Sequence, residues 1–255
     1  MKHFQKGHPT PITWPLTADE LAKLGPTSLV SPVAGIPHGC CHLGDDEFRA
    51  ELEVVERVRD WVASSRWPGW FFENQGIDGK LSPLLESALG LSESDPQGCA
   101  DVVKMDHPFD LWDRVIEPFA TSNKIALRDA PKHKGVPFVE TVGARSIAHS
   151  IIADALEKCF EVKYFFGQAR PFEISNYGGS LEQYPCPAHP ERPAGHGAFC
   201  GATNAAFRRL FVPITDDDLA TVKTATLQFA HFRTFSAMHL ASSNNLGWEI
   251  GNAIV

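Results

Sequence analysis

From Asp45 onward, apolar side chains recur every three or four residues. Phe48, Leu52, Val55, Val58 and Val62 make one stripe, the spacing of a helix that buries a single face. Asp45 and Asp46 suit the start of that helix, and Trp67-Pro68-Gly69 ends it. Ser82-Pro83, an N-cap followed by a first-turn proline, predicts a second helix running to about Leu89. Residues 93–137, with prolines at 96, 108, 118, 131 and 137, read as loop-rich. Helical spacing returns from Glu140 towards Gly167, and a Pro- and Gly-rich loop fills 171–194. A helix follows His196 to about Phe211. Asp216, Asp217 and Asp218 then open a long one, whose stripe is Leu219, Val222, Thr226, Phe229 and Arg233. Alternating strand patterns are scarce. The expected fold is all-α, a helical bundle with long loops on one face. Residues 1–255 read as a single domain: an irregular arm over 1–45, with at most a short helix near Ala18 to Leu24, and a helical core over about 140–255.

Composition narrows the partners. At 43% hydrophobic and 21% charged, 255 residues can bury a sizeable core. A net charge of −8 argues against nucleic acid and against a polybasic membrane anchor. It leaves room for a small anionic ligand if positive charge is concentrated locally. The first residues, MKHFQKGHPTPITWP, lack the apolar segment of a secretory signal. No run of ~18 apolar residues occurs, so no bilayer span is expected. The expected setting is the cytoplasm. Six scattered cysteines then read as reduced thiols. The pattern is compatible with a homo-oligomer and does not require one.

Three short segments carry chemistry. Lys163 and Arg170 lie seven residues apart, ~700° around a helix, so both would project from one side, and Pro171 then ends the helix. The same spacing also suits a solvated basic face. In Pro193-Ala194-Gly195-His196-Gly197, Gly195 permits close backbone approach, and the helix start offers free N–H groups to an anion. His196 there could act as acid or base near neutral pH, or simply sit in a Gly-rich turn. Arg233 falls on the buried stripe of the last long helix, where a charge needs an anionic ligand or a buried carboxylate. His239 follows six residues later, ~240° around a straight helix, so the helix must end or bend before the two can share a ligand.

Taken together, Lys-x6-Arg-Pro, Pro-x-Gly-His and Arg-x5-His resemble the superfamily of type 2 phosphatidic acid phosphatases, bacterial acid phosphatases and vanadium-dependent haloperoxidases. The resemblance covers residues 150–250, and Gly195-His196 followed by Phe199-Cys-Gly201-Ala202 looks especially like the haloperoxidase branch. It implies a helical core around a phosphate-shaped site. Lys163, Arg170, Arg233 and the Gly195 amide would hold the anion, with Ala194 at the position of a family serine. In a phosphatase His239 would be the nucleophile and His196 the acid. In a haloperoxidase His239 would ligate vanadate, the cofactor, and His196 would assist peroxide. A histidine at the place of His189 is typical of bromide-oxidising members. The implied substrates are peroxide and halide, or a phosphomonoester with no cofactor.

Two positions depart from the pattern. Ala194 lacks the family hydroxyl. Ser243 stands where an aspartate usually orients the final histidine, leaving that task to Ser243, Asn244 or a carboxylate elsewhere. A competing reading is a zinc site, from Cys186, His189, His196 and Cys200 or from His38, Cys40, Cys41 and His42. The spacings miss the usual C-x2-C pairs, and the first set would consume His196.

Overall fold

The computed structural model describes residues 45–103, 107–127, 132–133, 136–137, 141–166, 171, 189–212 and 214–253. The short helix expected near Ala18 to Leu24, and Arg170, lie outside them. The described residues form nine α-helices: α1 Asp45–Ala63, α2 Gly69–Asn74, α3 Pro83–Leu89, α4 Pro96–Val102, α5 Glu117–Ser122, α6 Thr141–Phe166, α7 Gly195–Leu210, α8 Asp216–Phe235 and α9 Ala241–Ala253. A π-helical turn, Trp112–Ile116, leads into α5. Strand structure among these residues is two short antiparallel ladders. β1 Ala126–Leu127 pairs with β4 Phe211–Val212, and β2 Lys132–His133 pairs with β3 Val136–Pro137. The fold is all-α, as the periodicity predicts.

The stripe of α1 is buried as expected, with Val55 and Val58 fully enclosed. Residues 93–137 hold more helix than their prolines suggested. Pro96 opens a helix instead of breaking one, because a first-turn residue has no intrahelical N–H bond to lose, and Pro118 follows the π-turn that leads into α5. Asp95 caps α4 by accepting from the Gly98 amide. Ser82 occupies the N-cap of α3, but its side chain makes no cap bond. Its backbone N–H instead donates to Gln228 Oε1 at 2.8 Å, and Gln228 Nε2 donates to the carbonyls of Asp78 and Lys80. One buried amide thus ties the early helices to α8.

Thr215 and Asp218 form a capping box at the start of α8. From Gln228 onward the helix is buried on every side, which makes it the central element of the bundle. The main hydrophobic cluster runs from Val58 and Val62 of α1 to Ala241 of α9, so the early helices share a core with the later ones.

The closest packing is between α7 and α9. Gly197 and Gly201 of α7 face Gly247 and Gly251 of α9 with backbones touching. A Cβ on Gly201 would lie 2.0 Å from the Trp248 carbonyl oxygen, and one on Gly251 would lie 1.9 Å from that of Ala198. Small residues every four positions let two helices approach this closely. The consequence is local to the site: the N-terminus of α7 is clamped to α9, and the Ala194 N–H donates to the Ser243 carbonyl at 3.0 Å.

Candidate oxyanion site

Helix α8 ends at Phe235, between Arg233 and His239, as a shared ligand would require. Ala237 adopts a left-handed conformation, φ 55°. The Met238 N–H donates to the Arg233 carbonyl and the Ala237 N–H to that of Thr234. This is a Schellman ending with alanine where glycine is usual. The turn carries the chain from Arg233 to His239, and both side chains are buried.

Arg233 meets the start of α7. Its Nη2 donates to His196 Nε2. A guanidinium can only donate, so the accepting imidazole is neutral and carries its proton on Nδ1. The His196 ring also packs on Phe199 of the next turn. The second and third sequence segments therefore converge. At the same end of α7 the N-cap is Ala194, which is fully buried, and the first turn has neither a side-chain cap nor an acidic residue. A Cβ on Gly195 would meet only Leu156 Cδ2, at 3.8 Å, an ordinary contact. Packing within the described protein thus does not demand glycine there, unlike at Gly197 and Gly201.

Lys163, near the end of α6, is fully buried. Its Nζ donates to the carbonyls of Pro190 at 2.7 Å and Glu191 at 2.8 Å. Two of its ammonium donors thus go to the loop before α7. Its burial departs from the solvated basic face that the spacing also allowed. His189, half-buried on the same loop, stands edge-on to Phe160 of α6 at 5.0 Å, with Nδ1 3.2 Å from the Pro190 carbonyl oxygen.

His239 has a carboxylate partner that the sequence reading did not name. Glu191, fully buried, has Oε1 3.1 Å from His239 Nδ1, and the same oxygen accepts from the Leu240 N–H at 2.8 Å. Ser243, at the family's aspartate position, donates its hydroxyl to the Glu191 carbonyl at 3.2 Å. Asn244 donates to Thr234 Oγ1. Next in the chain, the Arg192 guanidinium is buried and donates to Ser242 Oγ at 2.5 Å. A buried Glu-Arg pair in a Pro-flanked loop was the available signal, since such charges need partners.

The zinc reading finds no support here. Among the described residues no group of three or more His, Cys, Asp or Glu side chains is placed to hold a metal ion. Burial pushes the Cys200 thiol well above its usual range, against the opposing charge of Arg233, whereas zinc needs thiolate. Cys186, His38, Cys40, Cys41 and His42 lie outside the described residues. Also among those described, no helix is long and apolar enough to cross a membrane. Compared with protein-family models, with curated proteins and with solved structures, the chain finds no match.

Proposed function

We propose that this chain is a vanadate-dependent haloperoxidase-like enzyme that oxidises bromide or iodide with hydrogen peroxide. The observation that supports it is the meeting of Arg233 with His196 at the uncapped start of α7. There a buried cation adjoins a helix start that has no side-chain cap, a combination suited to a tetrahedral oxyanion. Arg233, the Gly195 amide and His239 would hold vanadate, with Arg170 and Lys163 adding positive charge. Bound vanadate would supply the Lewis-acid centre at which peroxide becomes reactive toward a halide. His196 is neutral while it accepts from Arg233. If Arg233 turns to an anion, Nε2 is left able to take a proton from bound peroxide. His189, on the loop leading into α7, would be a second histidine assisting at the site.

A second reading is an acid phosphatase of the same superfamily, with His239 as nucleophile and His196 as leaving-group acid. One observation favours it. Ala194 is fully buried and offers no hydroxyl, which weakens long-term retention of an anion by about 0.5–1.5 kcal/mol yet hardly affects a transient phosphoester.

Purified protein is assayed with vanadate, peroxide and bromide, and separately with p-nitrophenyl phosphate. The expected result is vanadate-dependent bromide or iodide oxidation, little or no chloride oxidation, and tighter vanadate retention in Ala194→Ser. Absence of halide oxidation with brisk, vanadate-inhibited phosphoester hydrolysis would select the phosphatase. A melting temperature unmoved by millimolar vanadate and phosphate would reject both.

A further inference from the structure

We infer that Glu191 is the positioning residue of His239, and that Lys163 serves the same end by anchoring the Glu191 backbone. The inference rests on the oxyanion reading for its use, but its geometry stands by itself. A carboxylate with no solvent exposure is costly unless bound on several sides. The Glu191 carboxylate is held at Oε1, which receives the Leu240 N–H and faces His239 Nδ1. Its backbone carbonyl separately receives Lys163 Nζ and Ser243 Oγ, which fix the residue in place.

That last contact fixes a tautomer. An ionised carboxylate oxygen only accepts, so a neutral imidazole 3.1 Å away keeps its proton on Nδ1. Nε2 then carries the lone pair, and it is the nitrogen that could attack phosphorus or ligate vanadium. The carboxylate also locks the ring's rotation. It lies four residues before Gly195, on the short loop that leads into the Pro-x-Gly-His segment. The far end of that loop is tied to Ser243 through the Ala194 N–H. One rigid piece therefore sets both the amides facing the anion and the direction of His239.

The test uses full-length protein labelled with 15N-histidine, with no anion added, near pH 7.5. Signals of His239 are assigned by their loss in His239→Ala. The expected wild-type spectrum has a protonated Nδ1 and an unprotonated Nε2. Glu191→Gln keeps the side chain's shape but removes its charge, and should mix the tautomers and weaken vanadate binding 10- to 100-fold, a range usual for such supporting groups. A wild-type His239 protonated on Nε2 overturns the assignment, whatever the protein binds and whether or not the variant folds. So does a Glu191→Gln protein with an unchanged tautomer and unchanged vanadate affinity. If the tautomer is as expected and responds to Glu191→Gln, yet neither vanadate nor phosphate shifts the His239 signals of the wild type, the positioning role stands and the oxyanion reading fails.

Discussion

Replacing Gly201 by alanine drives a methyl group into the α7–α9 contact. The new Cβ would lie 2.0 Å from the Trp248 carbonyl oxygen and 2.8 Å from the Asn252 nitrogen, where side chains essentially never come within 3.0 Å. Both obstacles are helix backbone, so no side chain can rotate away, and the helices must part by about 1 Å. Overpacking of this kind costs about 1–3 kcal/mol, and rigid obstacles place it near the upper end. Alanine returns about 1 kcal/mol of helix propensity. The net loss is about 2 kcal/mol, or about 4–8 °C in melting temperature for a chain of this size. Gly195→Ala is the matched control. Its Cβ meets only Leu156 at 3.8 Å, so its melting temperature should stay within about 2 °C of wild type. Thermal unfolding followed by helical circular dichroism, with and without orthovanadate, reads both effects. Under the oxyanion reading, Gly195→Ala loses most of the vanadate-induced rise without losing stability. Gly201→Ala melting with wild type would mean that the two backbones are not in contact and would refute the reasoning.

Two further outcomes follow from buried polar groups. Burial pushes His231 down to about 4, against the hydrogen bond with Asn245 that favours the charged ring. The unfolded imidazole titrates near 6.5, so between these values the unfolded chain binds a proton that the folded chain refuses. This contribution is complete above pH 6.5 and is lost as pH falls towards 4, an effect of roughly 3 kcal/mol. Melting temperature measured against pH should show a shallower acid limb in His231→Gln; an identical limb would contradict it. Gln228→Leu strips hydrogen bonds from the Ser82 N–H and from the carbonyls of Asp78 and Lys80. At about 1–3 kcal/mol per stranded buried group, and with water reaching some of them, a loss of about 2–5 kcal/mol is expected as a lower urea midpoint. A midpoint within error of wild type would show that this amide does not join the early helices to α8.

What the sequence determined by itself was local. The α1 stripe and the Asp-rich start of α8 depend on neighbours within a few turns, so spacing alone makes them legible. Pro96 was misleading because first-turn and helix-breaking prolines differ only in whether a helix follows. The four glycines of the α7–α9 contact were visible as residues, but which helix they faced was not. Only the tertiary structure decided the partners of the charged groups. Glu191 reaches His239 across 48 positions, and Lys163 binds carbonyls, which every residue carries and no motif can mark. Sequence could say that a buried charge at Arg233 would need a partner. The fold chose the partners, because desolvation is settled by whichever groups the packed chain brings within hydrogen-bond reach.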